Sequence, residues 1–82
     1  MKHTIKVYGS GCVKCKTLEK RVHKVLAELD LQFDVQKVTD IIEIMEAGVS
    51  STPALEIDGK MVIKGRVATE KEIRANLEAY LS

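Results

Sequence analysis

In Tyr8-Gly9-Ser10-Gly11-Cys12-Val13-Lys14-Cys15 a strand-like segment runs into two cysteines spaced as Cys-x-x-Cys. Upstream, in His3-Thr4-Ile5-Lys6-Val7-Tyr8, Ile5 and Val7 alternate with Thr4 and Lys6, the period-two pattern of a half-buried strand. Gly9-Ser10-Gly11 breaks that pattern. Downstream, Leu18, Val22, Val25, Leu26 and Leu29 form one apolar stripe of a helix running from about residue 13 to 29, and Lys16, Glu19, Lys20 and Lys24 lie off the stripe. The two cysteines therefore stand where a strand ends and a helix begins.

That position has chemical consequences. Side chains three residues apart on a helical turn have Cβ atoms roughly 5–6 Å apart, and a modest tightening brings two sulfurs into disulfide range. Cys12 lies at the helix start, where unpaired backbone N–H groups and the macrodipole favour an anion. Both effects raise the fraction of thiolate, which is the nucleophilic form, and Lys14 and Lys16 add positive potential of the same sense. The sulfurs are not expected to be equivalent. Cys12 precedes the helix and faces outward, so it is the attacking thiol; Cys15, one turn inside and more covered, resolves the mixed disulfide. Gly9 and Gly11, on either side of Ser10, are expected to let another backbone approach closely. The spacing alone leaves two alternatives: half of a metal site, or two packing cysteines. With no second cysteine pair and no histidine at finger spacing, a closed structural zinc site lacks ligands, and no metal is expected.

The rest of the chain alternates between the two periodicities. Phe33 and Val35 alternate with Asp34 and Gln36 in a second strand that ends near Val38. Asp40 and Glu43 have the spacing of a capping box opening a short helix, which Gly48 stops. After Val49-Ser50-Ser51-Thr52-Pro53, Ala54-Leu55-Glu56-Ile57 forms a third strand, Asp58-Gly59 a hairpin turn, and Met61-Val62-Ile63 a fourth strand ended by Gly65. Thr69 with Glu72 is a complete capping box in residue type, and Ile73, Leu77, Tyr80 and Leu81 stripe the last helix. The order is βαβαββα, an α/β fold. The first two strands are parallel with a right-handed crossover, and the terminal hairpin makes a four-stranded mixed sheet covered on both faces by three helices. With no repeat or linker, residues 1–82 are expected to form a single domain.

Composition narrows the function classes. Thirteen basic residues are interleaved with 12 acidic ones for a net charge of +1, so nucleic acid is not the expected main partner, since phosphate binding needs a concentrated positive face. No apolar run approaches the roughly 20 residues that cross a bilayer, and Met1-Lys2-His3-Thr4-Ile5-Lys6 contains no long apolar region of a secretory leader. The expected compartment is the cytoplasm, where such a cysteine pair is redox-active or metal-binding rather than a permanent staple. His3 and His23 are isolated, with His23 expected to be partly exposed on its helix. Met45 and Met61 suit core or edge packing better than metal binding. Tyr8, ahead of the cysteine turn, either shields the sulfurs or simply packs.

The motif order, with Gly-x-Gly-Cys-x-x-Cys after the first strand and Thr-Pro opening a hairpin before a closing helix, resembles the thioredoxin fold without the extra N-terminal strand and helix of full-length thioredoxins. It is most similar to the small archaeal and bacterial thioredoxin-like redox-active disulfide proteins. The stretches Tyr8–Cys15, Leu18-Glu19-Lys20, Glu46-Ala47-Gly48-Val49, Pro53-Ala54-Leu55 and Gly65-Arg66-Val67-Ala68 carry the likeness. The resemblance implies a protein-disulfide oxidoreductase, with Cys12 and Cys15 catalytic and Gly11, Val13, Lys14, Thr52 and Pro53 contacting substrate. Thr52-Pro53 matches the family's cis-proline loop. The implied partners are disulfide-containing proteins and a reductase; no cofactor beyond the Cys12–Cys15 disulfide, no membrane and no oligomer is implied. The chain departs from the family in three places. Gly11 precedes the pair where thioredoxins have Trp, and Val13-Lys14 replaces Gly-Pro. Lys6 occupies the position of the buried acid that takes the second cysteine's proton, so water or another group must serve. The glutaredoxin tyrosine and Gly-Gly-Cys-Asp stretch are missing, and Arg66 is expected to be solvated. Two rival readings remain. Ile5-Lys6-Val7 with Gly11-Cys12-x-x-Cys15 also resembles heavy-metal-associated domains, which carry Cu(I) between thiolates but run βαββαβ and end on a strand. A redox sensor or adaptor could use the same fold without catalysis.

Overall fold

Strand β1 (His3–Tyr8) sits inside the sheet, with parallel β2 (Phe33–Val38) on one side and antiparallel β3 (Ala54–Ile57) on the other. The computed structural model describes residues 3–9 and 11–79. Ser10, Tyr80 and Leu81, named in the sequence patterns, lie outside the described residues. Helix α1 (Val13–Glu28) crosses from β1 to β2, and α2 (Ile41–Glu46) joins β2 to β3. Strand β4 (Lys60–Lys64) returns antiparallel to β3, α3 (Glu70–Glu78) follows, and the sheet order is β2-β1-β3-β4. The fold is the expected four-stranded mixed sheet with three helices.

Alternation along β1 sorts the sheet into two faces. Ile5 and Val7 join Leu55, Ile57 and Ile63 beneath Leu18, Val22, Val25 and Leu26 of α1 and Ile73 and Leu77 of α3. Tyr8 turns to the other face, where Ile44, Val49 and Ala54 form a smaller cluster flanked by Val38 and Met61. The stripe expected from Leu18 to Leu29 is the buried face of α1 from Leu18 to Leu26, which also includes Cys15; Leu29 caps the helix and is partly buried.

Local chemistry ends each element where the sequence suggests. Asp58 (φ 49°) and Gly59 (φ 83°) are both left-handed, the requirement of a tight hairpin turn between twisted strands. β4 extends one residue beyond the apolar run at each end, with a bulge opposite Leu55 and Glu56. At α3 the capping box is closed: Thr69 Oγ1 accepts from Glu72 N at 3.1 Å, and Glu72 Oε1 accepts from Thr69 N at 3.2 Å. Arg66 is exposed, as expected, and donates to both oxygens of the same carboxylate, at 2.9 and 2.6 Å. The Asp40–Glu43 box does not close. The short Asp40 side chain accepts instead from Ile42 N at 2.8 Å, one residue nearer the cap.

Met45 departs from its expected packing. It is 68% exposed, as are Ile41 (65%) and Ile42 (66%), because a six-residue helix turns only Ile44 inward. Met61 is partly buried against the smaller cluster, as expected.

Two outcomes test this account. Leu77→Ala removes a fully buried side chain shared by α3 and the sheet, so urea unfolding should show a loss of about 2–5 kcal/mol. The Arg66 guanidinium and the cap N–H hold the Glu72 carboxyl at about 2, below its usual 4.5. Its stabilising contribution is therefore complete above pH 4.5 and lost as pH falls toward 2. Urea midpoints followed over that range should fall less steeply for Glu72→Gln than for the parent.

Candidate active site

The cysteines meet the sheet where β1 and β2 end. Gly9 continues β1 by one hydrogen bond, donating its N–H to Val38 O at 3.0 Å, and is buried. A Cβ placed on Gly9 would lie 2.2 Å from Cys15 Sγ. Glycine is required there because the sulfur rests directly on the backbone. This corrects the expectation that Gly9 leaves room for an incoming chain; only Gly11 is open in that sense, exposed and with nothing near its missing side chain.

Cys12 is the N-cap of α1. Its backbone is extended (φ −70°, ψ 168°), its carbonyl accepts from Lys16 N at 3.0 Å, and its Sγ accepts from Cys15 N at 3.2 Å. A sulfur thus does the work usually given to a Ser or Asp oxygen. No acidic residue stands in the first turn to oppose negative charge. A hydrogen bond from the Cys15 thiol, then backbone N–H groups beginning with that of Cys15, lower the Cys12 pKa from 9.0. Cys15 moves the other way: burial first, then its role as donor to Cys12, raises its pKa. Both are free thiols, Cys12 exposed and Cys15 buried.

The other sequence-predicted site residues gather at the same end. Val13 is 81% exposed beside Cys12, and Lys14 is also exposed. The Thr52–Pro53 peptide bond is cis, with Pro53 fully buried and Thr52 exposed. Because Tyr8 pairs with Ala54, Pro53, just before β3, lies at the same end of the sheet as Gly9, the residue on which Cys15 Sγ rests.

Tyr8 packs: it is buried in the smaller cluster, and its hydroxyl donates to Glu56 Oε1 at 3.0 Å. Burial, then that bond, raises its pKa. Lys6, between Ile5 and Val7, is turned to the Tyr8 face and away from Cys15. On the α1 face a cavity of about 60 Å³ adjoins Cys15, lined also by Val7, Gly9, Glu19, Lys37 and Thr39. Lys37 Nζ and Glu19 Oε2 form an ion pair at 3.2 Å. Sequence reading missed this pair and the Gly9 contact. The spacing of Glu19 four residues past Cys15, and of Lys37 two past Val35, held the signal. Among the described residues no cluster of three or more His, Cys, Asp and Glu could hold a metal. The described chain closes on α3 rather than on the strand that ends heavy-metal-associated domains. No described helix is long and apolar enough to cross a membrane.

A family model for the thioredoxin domain matches residues 3–78. A protein named thioredoxin from Methanothermobacter thermautotrophicus is 39% identical over 85% of this chain and 91% of its own. Another protein of that name, from Methanocaldococcus jannaschii, is 36% identical over 94% and 88%. Among solved structures, a malarial protein superposes over the whole of both chains with a TM-score of 0.75 at 13% identity. Thioredoxin-2, a component of the malaria parasite's protein secretion machinery, matches over 95% of this chain and 82% of its own, with a TM-score of 0.71 at 14% identity. At such identities the two structures speak for the fold alone.

In native protein treated with iodoacetamide, Cys12 should alkylate first, its rate rising through a pKa below 9.0, while Cys15 stays unmodified. Peptide mass mapping across pH 5–9 would contradict the geometry if Cys15 reacted first.

Proposed function

The chain belongs to the thioredoxin family of thiol–disulfide oxidoreductases, and on that premise we propose that it reduces disulfides of protein substrates in the cytoplasm by exchange through Cys12 and Cys15. The Cys12 thiolate attacks one substrate sulfur. The substrate S–S bond breaks, its second sulfur leaves as thiolate and takes a proton, and a mixed disulfide joins substrate to Cys12. Cys15 then attacks Cys12 Sγ and gives up its proton. The Cys12–Cys15 bond forms, the bond from Cys12 to the first substrate sulfur breaks, and that sulfur departs with the electron pair and takes a proton. A reductase or small dithiol returns two electrons to restart the cycle.

The observation that carries this reading is the opposed setting of two sulfurs on one helical turn. The exposed Cys12 has a lowered pKa, and the buried Cys15 has a raised one. A low-pKa sulfur at the surface suits first attack, and a covered one suits attack on a neighbour already in place. Exposed Gly11, Val13 and Lys14 form the rim a substrate meets first, and Thr52-Pro53 offers its backbone to an extended segment beside them. The working state is a monomer with no cofactor other than its own disulfide. A reducing compartment supplies the electrons that favour substrate reduction over oxidation.

With a disulfide-linked protein reporter and dithiothreitol as donor, Cys12→Ser should abolish turnover. Cys15→Ser should instead accumulate a covalent adduct with the reporter, visible on non-reducing gels. Both variants turning over like the parent would refute the mechanism.

A further inference from the structure

We propose that Glu19 accepts the proton that Cys15 releases during resolution, through water in the cavity both residues line. The inference rests on the exchange reading above and deepens it. Cys15 must lose a proton as it attacks, yet burial favours its protonated form. Lys6 cannot serve, since alternation turns it to the Tyr8 face. Among the described residues lining the cavity beside Cys15, Glu19 is the one carboxylate. It follows Cys15 by four positions in α1, so the two side chains share a helix face. Lys37, which neighbours Val7 across the β1–β2 register, holds Glu19 Oε2 at 3.2 Å, fixing it over the cavity. The Glu19 side chain is 22% exposed, withdrawn enough to be aimed yet open enough to pass a proton on to solvent.

The cavity, at about 60 Å³, exceeds the roughly 10–15 Å³ that one water needs, and although most of its wall is apolar, Thr39, Lys16, Lys37 and Glu19 are among the residues that line it. The step balances. Cys15 Sγ bonds to Cys12 Sγ, the bond from Cys12 to the substrate sulfur breaks, and that sulfur leaves with the electron pair. The Cys15 proton passes to water as water's own proton passes to Glu19. A carboxylate can take that proton, because a thiol becomes more acidic as its sulfur begins to bond to another. The charged groups that line the cavity with Glu19 are Lys37 from β2, its ion-pair partner, and Lys16 from its own helix.

Rapid mixing with 5,5′-dithiobis(2-nitrobenzoate) separates the two steps. Cys12 attack releases one thionitrobenzoate, and Cys15 resolution releases the second. In Glu19→Gln the first phase should match the parent within about twofold. The second should slow by about tenfold or more at pH 6–7, in the range of a lost proton acceptor. Its rate should then climb about tenfold per pH unit, as expected when preformed Cys15 thiolate must do the work. Glu19→Asp should recover part of the rate, and Lys37→Gln should keep the parent's shallow pH profile. A second phase in Glu19→Gln within twofold of the parent at every pH would overturn the proposal. So would a Lys37→Gln profile as steep as that of Glu19→Gln, which would make the pair merely structural. A parent that releases no second equivalent would overturn the exchange reading itself, and this inference with it.

Discussion

A backbone N–H at the start of α1 points at sulfur: Cys15 N donates to Cys12 Sγ at 3.2 Å, and the rest of the site is arranged around that bond. It closes the helix N-terminus with a group that can carry negative charge, so the feature that starts the helix also activates the nucleophile. The bond holds only if Cys12 stays extended while Val13 begins the helix. That in turn requires β1 to deliver the chain at the right height and α1 to lie flat on the sheet. Ile5 and Val7 in β1, and Leu18, Val22, Val25 and Leu26 in α1, supply the second condition by burying one continuous stripe.

The two faces of the sheet divide the work. The α1–α3 face holds most of the buried volume and also the chemistry, with Cys15 seated on Gly9 and a small cavity at its flank. The α2 face is shallow. Ile44, the one inward isoleucine of α2, closes the sheet there with Tyr8, Val49 and Ala54, while Ile41, Ile42 and Met45 of α2 stay in solvent. Past the end of β4, which pairs with Ala54, Arg66, Thr69 and Glu72 lock the start of α3, so the helix packed against α1 is tied down at its own end.

Most of the architecture was legible because each element is locally consistent. Period-two alternation in 3–8 and 33–38, a stripe from Leu18 to Leu29, the left-handed Asp58-Gly59 turn and the Thr69–Glu72 box agree in chain and structure. What escaped depended on distance across the fold. That Gly9 serves the Cys15 sulfur is invisible until α1 is laid on β1, and the same holds for the Glu19–Lys37 pair, whose partners lie in different elements. Met45 was misjudged for a different reason: composition gives a methionine an apolar preference, but a helix of six residues has too little inward face to satisfy it. Arg66 is solvated as expected, but its pairing with Glu72 escaped because Glu72 was already accounted for as a cap.

The central claim is that Cys12 and Cys15 exchange two electrons as one unit within a single chain. Equilibrating the purified protein against a graded dithiothreitol buffer, alkylating the free thiols and counting adducts by mass, with metal content assayed in the same sample, tests it most directly. The account predicts one two-electron transition between a monomer with two free thiols and a monomer with none, metal-free throughout. Thiols lost one at a time, a disulfide formed only between chains, or a stoichiometric metal ion that blocks oxidation would contradict it.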